Sequence, residues 1–265
     1  MREHILLSSA VVAMSLCASI SVQTAAAADM PAKALAVPIA DPIWTGWYLG
    51  LTAGGDWSTS EVSTSTASVP GAGLQLSALA IGLINSAGSP TDIHTSGFTG
   101  GAQGGYNYQM GQWLVGVEAD IEYLRGSGST SAAAPGTFIL NSSVSTDWLF
   151  TARPRLGFIS NNWLFYGTGG LAVTHISGTW NLGGSAGIAE NDSASTTKAG
   201  WVVGGGIETM LPGKWLIGAE YLYVNFDSVS TASSSTSFGT PLPNPFSHSA
   251  DLNANIVRLR LSKLF

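Results

Sequence analysis

Nine charged residues of this 265-residue chain stand out by spacing and are the first candidates for chemistry: Glu118, Asp120 and Glu122; Arg153 and Arg155; Arg258 and Arg260; and the single Glu208 and Glu220. A spacing of two puts neighbours on one face of a strand. Five carboxylates and four guanidiniums gathered in one place could shuttle protons, pass ions, or pair with each other bidentately and fall silent. The paired, structural reading is preferred. His94, His175 and His248 are far apart and show no metal-ligand spacing. His248-Ser249 has no identifiable acidic partner, and that histidine reads as a solvated loop residue. Gly183-Gly-Ser185-Ala-Gly187 matches a nucleophile elbow in letters, but it lacks the strand before and helix after that would aim the serine. Gly167-Thr-Gly-Gly170 and Gly204-Gly-Gly206 resemble phosphate loops only loosely, and glycine in a strand more often serves close packing. No catalytic constellation emerges, and an enzyme is not expected.

The elements that position these charges read as strands. In Trp113-Leu-Val-Gly-Val-Glu-Ala-Asp-Ile-Glu-Tyr123, one face is apolar and the other carries all three carboxylates. Such a strand separates two solvents. Eight segments of this kind run at 44–55, 96–109, 113–123, 147–159, 163–176, 198–209, 215–227 and 253–265. Most reach the roughly 9–11 residues a tilted strand needs to cross a bilayer. Connections at 110–112, 160–162 and 210–214 are short, whereas 56–95, 124–146, 177–197 and 228–252 are long and rich in Ser, Thr and Gly. That asymmetry is the layout of an outer-membrane barrel with short periplasmic turns and long extracellular loops. The expected fold is therefore all-β, an eight-stranded antiparallel transmembrane barrel.

Aromatic placement agrees. Trp44, Trp113, Trp163 and Trp215 open alternate strands, so they are expected to form a periplasmic girdle. The alternation then turns the nine charges inward, where eight strands leave just enough room for side chains to fill the lumen. Pro154 falls on the lipid side of the fourth strand and suggests a bulge. The apolar stretch Gly73–Ile84, too short to span, is expected as a short helix on the rim or over the mouth.

Export is expected from the first residues. A charged start, an apolar run over Ile5–Ile20 and the small residues Ala25–Ala28 form a signal peptide over 1–28, with a lead-in at 29–43 and the barrel at 44–265. Cys17 falls in the removed part, leaving a mature chain without cysteine. Only 10% of residues are charged although mean hydropathy is +0.25, which suits a wall facing lipid. A net charge of −6 argues against nucleic acid as a partner.

Several segments resemble the outer membrane immunogenic proteins of alphaproteobacteria, a family grouped with opacity-like, porin-like surface barrels. They include Trp44-Thr-Gly-Trp-Tyr-Leu-Gly50, Thr99-Gly-Gly-Ala-Gln-Gly-Gly-Tyr-Asn-Tyr108, Thr151-Ala-Arg-Pro-Arg-Leu-Gly-Phe158 and Val257-Arg-Leu-Arg-Leu-Ser-Lys-Leu-Phe265. Leu164–Ala172 and Gly200–Glu208 continue the likeness, which covers the strands and fails in the long loops. The resemblance implies an eight-stranded barrel in the outer membrane, roles in envelope integrity and host contact, and hemin binding in some members. It further implies that Phe265 is the terminal aromatic read by the barrel-assembly machinery. If hemin binds, His94, His175 and His248 are its candidate axial ligands. The expected function is a non-enzymatic surface barrel with a structural envelope role and contacts made through its loops. The alternatives are a narrow diffusion channel for polar solutes and a hemin-binding surface protein.

Overall fold

The computed structural model describes residues 43–134, 138–184 and 187–265. The expected signal peptide and nearly all of the lead-in lie outside them. Eight antiparallel strands form one closed barrel in which each strand pairs with its sequence neighbour and the last pairs with the first. They are β1 (Gly46–Thr66), β2 (Thr91–Met110), β3 (Trp113–Ala134), β4 (Phe138–Ser160), β5 (Trp163–Gly184), β6 (Ile188–Leu211), β7 (Trp215–Ser237) and β8 (Thr240–Leu264), with one helix, α1 (Ala78–Ala87), between β1 and β2. No helix among the described residues is long and apolar enough to cross a membrane. The crossing is made by strands.

Two of the turns at the end where β1 begins are tight. Their first residues, Gly111 and Asn161, have φ of 62° and 54°, the positive values that two-residue hairpins demand. At the opposite end the structure departs from expectation. The strands are 20 to 25 residues long, about twice what a bilayer requires. Most of what reads as four long loops is a continuation of the barrel wall. The connections there shrink to 135–137, 185–187 and 238–239, and only 67–90 remains a long excursion.

The reason is a change of solvent along the wall. In the half next to the tight turns, outward positions are apolar, as in Leu49 and Leu51, Val115 and Val117, or Leu259 and Leu261, all exposed. In the far half the outward positions become Thr59, Ser63 and Ser65 on β1 and Ser143 and Ser145 on β4. The inward ones there become Val62, Val144, Ile176 and Phe246. The near half has lipid outside and charge inside; the far half has water outside and an apolar core inside. Hydrophobic burial drives both, but in opposite directions across the wall.

The interior is filled along its length. Trp44, Tyr48, Leu114, Ile159, Leu164, Tyr166, Met210, Leu216 and Leu264 form an apolar floor at the tight-turn end. A second apolar layer, including Leu149, Ile176, Trp180, Leu222, Val224 and Ile256, occupies the middle. The far mouth is closed by α1. Ser77 caps it, accepting the Ala80 N–H at 3.1 Å, and Ile84 packs with Leu76, Phe138, Leu140, Leu182, Leu242 and Phe246. Asn85 clasps β1 by accepting from the Thr66 N–H at 2.8 Å and donating to its carbonyl at 3.0 Å. The apolar stretch at 73–84 thus contributes a lid.

Trp44 and Pro154 depart from expectation. Trp44 is 0% exposed and lies inside, not in the girdle. It shares the even phase of Tyr48, which also points inward, while the odd positions of β1 face lipid; Trp47, 66% exposed, takes the girdle place. Pro154 causes no bulge. Ala152 pairs with Leu171 and Arg155 with Thr168 in one unbroken register, and the shift in that ladder falls between Thr146 and Leu149. Pro154 is tolerated because the β4–β5 ladder carries no pair at 153 and 154, so its missing N–H is not called on, and its carbonyl accepts from the Thr168 hydroxyl at 2.9 Å.

Candidate functional site in the barrel lumen

Between the floor and the middle layer lies a belt built from all nine charged residues. Their side chains are 0 to 2% exposed. β3 supplies Glu118, Asp120 and Glu122, β4 supplies Arg153 and Arg155, and β3 pairs with β4 so that Glu118 lies opposite Arg153. β7 and β8 place Glu220 opposite Arg258 in the same way. The acidic and basic strands face each other by register.

The pairing then extends across the lumen. Arg153 Nη2 lies 2.7 Å from Glu118 Oε1 and 2.6 Å from Asp120 Oδ2, and its Nη1 lies 3.3 Å from Glu220 Oε1. Arg258 bonds Glu122 and lies 2.6 Å from Glu220 Oε2 and 3.2 Å from Asp120 Oδ2. Arg260 bonds Glu118 and lies 2.8 Å from Glu220 Oε1. Arg155 lies 3.3 Å from Glu208 Oε1 and donates to Asn107 Oδ1 at 2.9 Å.

Neutral donors add to the shells of four of the five carboxylates. The Tyr48 hydroxyl donates to Glu118 at 2.5 Å, Tyr166 to Glu220 at 3.0 Å, Thr151 to Asp120 at 2.7 Å and Thr99 to Glu122 at 2.8 Å. The Arg155 guanidinium also stacks over Tyr48, 4.6 Å from the ring centroid. Buried charges are tolerated only when paired and hydrogen-bonded to this degree.

Glycines make the room. Gly54 lies opposite Arg258, Gly101 opposite Glu122, Gly116 opposite Arg155 and Gly218 opposite both Glu208 and Arg260. A Cβ on Gly54 would sit 2.1 Å from Val257 O and 2.8 Å from Arg258 Cβ; one on Gly101 would sit 2.9 Å from Glu122 Cδ. A small barrel accommodates guanidiniums by pairing large with nothing.

The other expected site residues are distributed differently. Trp113, Trp163 and Trp215 face outward at the tight-turn end, 54, 45 and 44% exposed, and Trp113 meets Phe158 edge-on at 5.5 Å. Phe265 is exposed on the same rim, and its N–H donates to Trp47 O at 2.8 Å across the β1–β8 seam. The three histidines do not come together. His94 and His175 take outward positions beside Thr59 and Thr197, whereas His248 is buried inside the far half at 1% exposure. The expected set of axial hemin ligands is therefore split between the two sides of the wall, because His94 and His175 fall on the outward phase and His248 on the inward one.

Sequence reasoning missed the partners of His248. Glu190 Oε1 lies 2.9 Å from its Nε2, Ser233 Oγ lies 3.0 Å from the same nitrogen, and Thr64 Oγ1 lies 2.9 Å from Nδ1. Trp180 stacks on the ring at 5.1 Å. Glu190 is 58 residues away in the chain, and the two meet because β6 and β8 flank β7, whose Ser233 touches both.

A closed barrel with an apolar waist, an aromatic rim and a charge-filled core defines an integral outer-membrane protein. The chain belongs to the family described as outer membrane protein beta-barrel domain, whose sequence model matches residues 13–241. It is 33% identical to the 31 kDa outer-membrane immunogenic protein of Brucella melitensis biotype 1 over 216 residues, covering 76% of this chain and 81% of that one. It is also 33% identical to the 22 kDa outer membrane protein of Rhizobium leguminosarum bv. viciae over 139 residues, 52% of this chain and 57% of that one. Among solved structures, the outer membrane protein OprG from Pseudomonas aeruginosa aligns with a TM-score of 0.44 at 13% identity, covering 83% of this chain and 97% of that one. The protein is an outer-membrane surface β-barrel.

Proposed function

We propose that this barrel is closed to solutes and non-enzymatic, and that it serves the envelope as a rigid surface element. One observation carries the reading: the nine charged lumen side chains are 0 to 2% exposed, between an apolar floor and an apolar middle layer. A water-filled conduit would leave accessible area on the residues that line it. This supports the closed barrel over the narrow diffusion channel.

The non-enzymatic reading is supported by the arrangement at His248. A catalytic triad places acid and nucleophile on opposite ring nitrogens. Here Glu190 meets Nε2 and the Thr64 hydroxyl meets Nδ1, but Thr64 and the ring are 3 and 1% exposed, so no substrate has access to that hydroxyl.

Contacts with other surfaces fall to the far half, whose hydroxyl-rich exterior rises beyond the lipid-facing band. Leu74, Leu79 and Phe238 remain 58, 74 and 83% exposed at its tip. Export through a cleaved leader at 1–28 and assembly guided by Phe265 belong to the same proposal. The test is a deletion strain challenged with detergent. Increased sensitivity, restored by the wild-type gene and by a version lacking residues 70–86, supports a structural role for the barrel itself. Unchanged sensitivity refutes it.

A further inference from the structure

We propose that Glu190, Asp192 and His248 form a binding site for a divalent transition-metal cation inside the extracellular half of the barrel, with Zn²⁺ the best match. Glu190 and Asp192 are two apart on β6 and face inward; one ligand atom from each of the three residues lies within 4.8 Å of the others. The Glu190 side chain is 0% exposed, yet its Oε2 has no hydrogen-bond partner, and Asp192 Oδ2 is likewise buried and unpartnered. Unsatisfied buried carboxylate oxygens are costly and call for a counter-charge.

The contrast with the charge belt is direct. There, Arg153, Arg155, Arg258 and Arg260 serve the carboxylates. Around Glu190 and Asp192 the described residues supply only His248 as an ion-pair partner. One imidazole cannot balance two carboxylates, whereas a dication balances both. His248 is also pre-oriented for coordination. Thr64 engages Nδ1, Trp180 stacks on the ring, and Nε2 is turned toward Glu190. A histidine held through its other nitrogen is the usual state of a metal ligand. One imidazole and two carboxylates, with the Ser233 hydroxyl 2.6 Å from Glu190 and 3.0 Å from Nε2, make an N/O donor set of the kind zinc takes.

There is also a way in. Pairing between β6 and β7 lapses between Ala189 and Gly200, and the register shifts across the gap. Asp192 lies at this seam and is half-buried, while Glu190 and His248 lie behind it. The ion would enter sideways from the external medium, without crossing the sealed lumen.

The test uses the full-length protein extracted in detergent, stripped with a chelator and checked for heat-modifiable migration. Titration with Zn²⁺ against a chromophoric competitor should show one equivalent bound. His248→Ala and Glu190→Gln should each weaken binding at least tenfold, and His94→Ala and His175→Ala should leave it unchanged. Co²⁺ added to the wild type should give visible d–d absorption bands, a readout needing no variant. Absence of saturable binding and of those bands would overturn the site. So would binding that survives His248→Ala and Glu190→Gln, or that is lost with His94 or His175. None of these results bears on the closed lumen, which rests on different residues.

Discussion

Removing Arg258 exposes the logic of the belt most clearly. Its guanidinium is fully buried and lies within 4 Å of four carboxylates: Glu118 at 3.9 Å, Asp120 at 3.2 Å, Glu220 at 2.6 Å, and Glu122. It is also the one arginine that reaches Glu122 among the described residues. Arg258→Met keeps most of the volume but leaves five carboxylates facing three guanidiniums. Breaking a buried pair from one side typically costs about 3–5 kcal/mol. With a urea slope of roughly 1–3 kcal/mol per molar, the unfolding midpoint should fall by about 1–5 M. The assay is urea unfolding of the detergent-solubilised barrel, followed by tryptophan fluorescence and by loss of the heat-modifiable band. The double variant Arg258→Met with Glu122→Met removes one charge of each sign and should recover at least 1 kcal/mol relative to the single, as expected for residues sharing a network. A single variant within about 0.5 kcal/mol of wild type, the level of an ordinary surface change, would refute the reasoning. So would a double variant as unstable as the two singles summed.

Four further outcomes follow from the same geometry. Leu259→Arg, on the lipid-facing side of β8, should destabilise the folded barrel by about 2–4 kcal/mol in lipid, whereas Ser143→Arg on the outward face of the far half should stay within about 0.5 kcal/mol; both are read by equilibrium unfolding in vesicles. Trp44→Ala, emptying a fully buried site in the floor, should cost about 3–5 kcal/mol, and Trp47→Ala on the outer rim clearly less. Gly54→Val should prevent assembly, since its Cβ meets Val257 O at 2.1 Å; the heat-modifiable band should be missing from outer membranes. Protease or antibody access on whole cells should reach epitope tags at 70–73 and 238–239 and should not reach one at 111–112.

The near half of the barrel was legible because lipid outside and charge inside give each strand a strong period of two. Val115, Val117 and Ile121 against Glu118, Asp120 and Glu122 leave no second phase to choose. The far half was not legible, because water outside and small residues on both faces erase that contrast. In β1, Ser58, Ser60 and Thr64 point in while Thr59, Ser63 and Ser65 point out, and their hydroxyls look alike in sequence. In β8 the inward residues Leu242, Phe246, Ala250 and Leu252 are interleaved with Pro241, Pro243 and Pro245, a residue type that is unusual inside a sheet. The structure sets these prolines two apart on the exposed face. Trp44 shares the inward phase of Tyr48, and its place near a strand start carries no information about which face it takes. The grouping of Glu190 with His248 depends on the registers of β6 and β8 against the intervening β7, and local spacing carries no trace of it.

The central claim is that the lumen is filled, and conductance tests it most directly. Purified, heat-modifiable protein inserted into planar bilayers is predicted to give no reproducible unitary steps, because a floor, a charge belt and a middle layer leave no water path. Stable steps of one size, abolished by boiling the sample and altered by Arg258→Met, would contradict it.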